Sequence, residues 1–137
     1  MLSKINGFEI WLPSNLKVLM ISPVWILATI SLPLLSDKKI LSNAINVSTH
    51  WAKRSKIEFG NNKSKALFGI AQGGLYKDLR IESIEKLKEI EFDGYAMGGL
   101  AVGENQSDMF QILNETTGYL PKNKPRYLMG VGTPSDI

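Results

Sequence analysis

The chain has 137 residues, 44% of them hydrophobic, which amounts to one ordinary domain with enough apolar side chains for a core. A formal charge of +3, with pI near 9.1, permits a polyanionic partner without requiring one. The absence of cysteine excludes disulfides, thiolate metal sites and cysteine nucleophiles, and the single histidine, His50, cannot build a histidine metal centre alone.

Two short strand-like runs come first, "GFEIWL" (7–12) and "LKVLMI" (16–21), which would bring the strand count from three to five if they pair. Residues 18–35, "VLMISPVWILATISLPLL", then run without a charge. Eighteen such residues just reach the length of a membrane helix. Against insertion, Pro23 and Pro33 interrupt the stretch and no basic cluster sets an orientation. A signal peptide fits poorly, because the apolar stretch is too long and no small-residue cleavage site follows. The expectation is a buried strand region and no membrane, with 1–38 a degenerate apolar segment and 39–137 the domain proper.

From Ser36 the pattern becomes regular. Ser36 and Asp37 are cap-type residues. Ile40, Leu41, Ala44, Ile45, Val47, Trp51 and Ala52 then recur at helical spacing. Lys53, Arg54 and Lys56 crowd the last turns, where cations suit the helix dipole, and Gly60 ends the helix. After a polar turn, "ALFGIAQ" (66–72) is a continuous apolar run, as in a strand covered on both faces.

Beyond Gly73 and Gly74, "KDLRIESIEKLKEIEF" carries Leu79, Ile84, Leu87 and Ile90 on one face, a second helix. "GYAM" is the next strand. "SDMFQILNETTG" is a third helix, with Ser107 as N-cap and Gly118 as C-cap. "PKNKP" turns the chain into a last strand, "RYLMGV". Helices alternating with short strands predict an α/β fold with right-handed βαβ units and a parallel sheet.

All three strand runs end in glycine-rich turns: "QGG", "GGLAVGE" and "GVGTP". In parallel sheets the loops after the strands form the ligand face, and glycine lets the backbone approach a ligand closely. Any one such pair has a plainer explanation as a tight turn; three in register predict a binding face. "QGGLYKD" lacks the Gly-Lys-Ser/Thr of a phosphate loop, and "GGLAVGE" lacks the dinucleotide spacing, so a nucleotide cofactor is disfavoured. The polar groups on this face are Gln72, Glu104, Thr133 and peptide groups, with Met129 or Tyr95 as an apolar platform. That set suits reading the edge of a purine-like base and not acid–base chemistry.

"WAKRSK", "LFGIAQGG", "FDGYAMGGLAVGE" and "KPRYLMGVGTP", in that order, resemble the central part of the tRNA-guanine transglycosylase family. The resemblance covers about residues 39–137. It implies an incomplete TIM (β/α)8 barrel with about three clear βα units, and the exchange of guanine at the tRNA wobble position for a 7-deazaguanine precursor of queuosine. It assigns base binding to Gln72, to the backbone of Gly99 and Leu100, and to Met129 over one face of the base. Glu104 matches the acid beside the family's switching peptide. Gly130, Val131, Gly132, Thr133, Pro134, Ser135 and Asp136 match a segment associated with tRNA binding.

The family's mechanism uses an aspartate nucleophile and a covalent enzyme–RNA intermediate. By motif order that aspartate falls beyond Ile137. The serine-glycine-glycine motif with the general acid/base aspartate, the Asp-Glu-Cys run and the zinc ligands have no counterpart in this sequence. The resemblance therefore implies an inactive, cytoplasmic remnant of a truncated gene, without cofactor or zinc. The alternatives are a subunit of a split enzyme, or a noncatalytic tRNA-binding module using Lys53, Arg54, Lys56, Lys122, Lys124 and Arg126. Against a closed barrel of ~250 residues, three strands leave open edges and predict self-association.

Overall fold

The computed structural model describes residues 4–5, 8–9, 17–18, 37–61 and 65–131, with side chains from residue 37 onward. Helix α1 (Lys38–Phe59) starts where the cap residues place it: the Asp37 side chain accepts from the Lys39 N–H at 3.0 Å. It stops at Gly60, whose φ of 57° leaves the helical region and whose N–H closes on the Lys56 carbonyl. Its buried stripe is narrower than its apolar content. Leu41 and Ile45 are buried against Leu79 of the next helix, whereas Ile40, Val47 and Trp51 are exposed. The indole of Trp51 instead lies beneath the Arg54 guanidinium, 4.4 Å from ring centroid to charge.

Near the N-terminus, strands β1 (Lys4–Ile5) and β2 (Phe8–Glu9) pair antiparallel, and β3 (Lys17–Val18) pairs parallel with β4 (Lys65–Ala66). The described residues of the two N-terminal runs thus find other partners and not each other. Only two residues separate β1 from β2 in the sequence, and helix α1 lies between β3 and β4, as parallel pairing requires of a connection. The rest of the charge-free 18–35 stretch lies outside the described residues. Among those described, no helix is long and apolar enough to cross a membrane.

The apolar run at 66–72 is split. Leu67 leaves the ladder between β4 and β5 (Phe68–Ala71) because Asp93 takes both its backbone groups. The Leu67 N–H donates to Asp93 Oδ2 at 2.8 Å, and the Leu67 carbonyl accepts from the Asp93 N–H at 3.0 Å. Helix α2 (Lys77–Ile90) leads to β6 (Gly94–Met97), helix α3 (Gln106–Thr116) and a 3-10 turn (Thr117–Tyr119) follow, and β7 (Arg126–Leu128) comes last. The N-cap of α3 is Asn105, two residues before Ser107, so Ser107 lies in the first turn; Gly118 lies in the 3-10 turn and caps nothing.

Strands β5, β6 and β7 form one parallel sheet in the order β5-β6-β7. This is the α/β architecture expected from the alternation of elements, with β6 central and all four of its residues buried. Leu67, Ala71, Tyr95, Met97 and Leu128 meet Ile84 and Leu87 of α2 and Met109, Ile112 and Leu113 of α3 in the main core. Each fully buried Leu, Ile or Met side chain among them contributes about 1.5–3 kcal/mol of transfer free energy.

Candidate functional site

The register of the sheet brings the strand ends into one row. Ala71 pairs with Met97, and Met97 with Leu128. The next residue of each strand continues the ladder: the Gly98 N–H donates to the Ala71 carbonyl at 2.9 Å, and the Met129 N–H to the Met97 carbonyl at 3.1 Å. Gln72, Gly98 and Met129 therefore stand side by side at the carboxyl edge of the sheet. Strand alternation puts them on the face opposite the core helices, with half-buried Phe68, Ile70 and Tyr127 below them.

Gln72 is buried at 2% exposure, yet its Oε1 has no hydrogen-bond partner among the described residues. A buried amide oxygen without a donor costs about 1–3 kcal/mol, and natural folds leave few of them. Its backbone is fixed by the Ser83 hydroxyl of α2, which accepts from the Gln72 N–H at 3.1 Å.

The adjoining loop is held from two sides. Arg80, also on α2 and fully buried, donates through Nε to the Gly74 carbonyl at 2.6 Å. Its Nη1 and Nη2 both donate to the Gly98 carbonyl at 3.1 Å, and Nη2 also reaches the Gly99 carbonyl at 3.3 Å. Burial pulls the guanidinium down to about 10, against the pull of the Glu104 charge, so it stays protonated at neutral pH. On the other side, the Glu104 carboxylate accepts from the N–H groups of Ala101 and Val102. Gly99 and Ala101 take left-handed φ values of 64° and 58°, which turn the chain between these two anchors.

Of the residues expected here, Gln72, Gly99 and Glu104 converge around the strand ends, Leu100 buries its side chain in the core behind the loop, and Met129 is half-buried beside Gly98. Gly130 is exposed and Val131 packs on the core; Gly132, Thr133, Pro134, Ser135 and Asp136 lie outside the described residues. Tyr95 is not a platform. It is 2% exposed and meets Phe92 edge-on within the core, because it alternates to the helix-facing side of β6.

The suggested cationic set does not join the site. Lys56 lies over the Phe92 ring and lines a hollow with Lys65 and Asp93, at the amino edge of the sheet. Lys122 and Lys124 belong to the turn that enters β7 at the same edge, where the Pro125 carbonyl accepts from the Tyr95 N–H. Arg80 and Ser83 went unnoticed in the sequence as ordinary polar residues of an amphipathic helix. Their phase gave them away: 80, 84 and 87, and 79, 83 and 87, are both core-facing series.

Chemically, this edge offers one unpaired amide oxygen, backbone donors and acceptors, and an apolar flank. Both oxygens of Glu104 are spent on the loop. The arrangement suits recognition of a planar heterocycle.

A family model described as Queuine tRNA-ribosyltransferase matches residues 20–137. Two curated relatives share this character: the queuine tRNA-ribosyltransferases of Francisella tularensis subsp. novicida (strain U112) and of Francisella tularensis subsp. tularensis (strain SCHU S4 / Schu 4). Each is 55% identical over 105 residues, covering 77% of this chain and 28% of the relative. The chain thus matches 28% of the length of these relatives.

Proposed function

Since the chain belongs to the queuine tRNA-ribosyltransferase family, we propose that it carries the base-reading edge of a tRNA-guanine transglycosylase site. In this reading Gln72 and the backbone of Gly99 and Leu100 hydrogen-bond a guanine-like base, and Met129 covers one of its faces. Glu104 fixes the loop, and residues 130–136 meet the tRNA. The sheet is then part of a TIM barrel, and the place of work is the cytoplasm, where tRNA is met. Copies of the chain would associate through the edges of the sheet, which sedimentation velocity tests.

What supports this reading is the unpartnered, buried Oε1 of Gln72 set in register with Gly98 and Met129. No described group around it is placed as a nucleophile, so the reading assigns recognition to this chain and not exchange by the chain alone. This chain has no cysteine to offer the zinc that the family resemblance implies. No step is routed through a metal.

Equilibrium dialysis with labelled guanine tests the reading. Saturable binding that weakens at least tenfold in Gln72→Ala is expected, and unchanged binding in that variant would refute it. Labelled-guanine incorporation into tRNA is expected to be absent for the chain alone; incorporation would show that the chain carries the chemistry as well.

A further inference from the structure

We infer that Arg80 is a positioning residue, whose guanidinium turns the Gly98 and Gly99 carbonyls inward so that the N–H groups of Gly99 and Leu100 face the ligand. The inference rests on the base-binding reading of the site and assigns the specificity of its backbone part.

The geometry follows from peptide planarity. Among the described residues there are no cis peptide bonds, so each C=O points opposite to the N–H that follows it. Arg80 holds the Gly98 carbonyl by two donors and the Gly99 carbonyl by one. The Gly99 and Leu100 N–H groups therefore point away from the guanidinium, and neither meets an acceptor among the described residues. On the far side of the loop, Glu104 takes the Ala101 N–H, so by the same rule the Leu100 carbonyl points away from Glu104. Two donors and one acceptor are left between the anchors, beside the unpartnered Gln72 Oε1. That pattern fits a heterocycle edge carrying an exocyclic oxygen next to ring or exocyclic N–H groups.

The anchoring is specific to a guanidinium. Arg80 is fully buried and its hydrogen-bond partners are carbonyls, not a carboxylate. A buried cation whose hydrogen-bond partners are all dipoles is costly even with the Glu104 charge nearby, and a core position of α2 would otherwise take an apolar side chain. Its planar fork spans Gly74 on one loop and Gly98 and Gly99 on the other, locking two strand-end loops to one helix. Lysine, with a compact ammonium, cannot reach both in this plane.

The test compares the full chain with Arg80→Lys and Arg80→Met. Equilibrium dialysis with labelled guanine and amide nitrogen relaxation of Gly99 and Leu100 are measured beside thermal unfolding. For folded variants, guanine binding is expected to weaken at least tenfold, with new mobility confined to residues 98–101. Binding within twofold of the parent, or unchanged loop order, would overturn the inference. If neither variant folds, guanine is titrated into the parent chain labelled with nitrogen-15. Joint shifts of the Arg80 Nε–H and Gly99 N–H signals are expected, and a Gly99 shift without one at Arg80 would overturn the inference. If the parent binds no guanine, the base-binding reading falls, while the loop relaxation of Arg80→Lys still decides whether Arg80 orders the loop. Should that variant also be unfolded, substitution of the parent's Arg80 contacts is read from its Nε–H exchange: slow exchange supports the anchor and solvent-like exchange overturns it.

Discussion

A carbon added at Gly98 would stand 2.9 Å from Gln72 Nε2 and 2.7 Å from Ile70 Cγ2, so the Gln72 carboxamide lies against a strand end that only glycine leaves open. Gly98, which opens the second glycine-rich turn, is therefore a packing requirement for the glutamine of the first. Gly98→Ala is expected to displace the carboxamide, weaken guanine binding at least tenfold and cost about 1–3 kcal/mol of stability. Equilibrium dialysis and urea unfolding check both parts; an alanine variant that binds as the parent does would mean that Gln72 takes no part in binding.

The strands and helices were legible because their signals are local. Asp37 and Gly60 bound α1, the "GYAM" run is the central strand, and glycine-rich turns close all three parallel strands. What the sequence concealed depends on contacts across the chain. The break at Leu67 arises from Asp93, 26 positions on, and the roles of Arg80 and Ser83 appear only when α2 lies across the strand ends. Tyr95 reads as apolar wherever it points; only the phase of β6, fixed by pairing with β5, puts it in the core and Gln72 at the edge. The cations of α1 and of the turn into β7 were read as a set from composition, and parallel topology sends them to the edge away from Gln72.

Asp93 is expected to matter for folding and not for ligand binding. It satisfies the N–H of Leu67, a residue with no solvent exposure. Asp93→Ala leaves that buried donor without a partner, at about 1–3 kcal/mol, whereas Asp93→Asn keeps an acceptor and should lose less. Urea midpoints with unchanged slopes would check this; equal losses in the two variants would show that the hydrogen bond is not what Asp93 supplies.

The position of the core predicts a contrast within two isoleucines. Ile84 is wholly buried between α2 and the sheet, while Ile57 near the end of α1 is 79% exposed. Ile84→Ala should cost about 2–5 kcal/mol and Ile57→Ala no more than about 0.5 kcal/mol. Thermal and urea unfolding would measure both. Equal effects would require Ile57 to be covered by another surface.

Tyr95 supplies a pH dependence whose sign is fixed by its burial. Burial, aided by the nearby Glu91 charge, raises the phenol above its ordinary value of 10.0, outweighing a backbone hydrogen bond at Phe92 and the Lys88 charge. Above that pH the unfolded chain releases the proton while the folded chain keeps it. The folded state then binds more protons, and stability falls as pH rises through the folded value. Arg80, held down to about 10, acts in the opposite sense over the same alkaline range, since there the unfolded chain keeps the proton longer. Comparing the parent with Tyr95→Phe cancels the Arg80 contribution. The stability difference between the two should be constant from about pH 7 to 9 and shift in favour of the phenylalanine variant above about pH 10. Urea midpoints taken across that range measure it, and a difference independent of pH would place the Tyr95 hydroxyl in solvent.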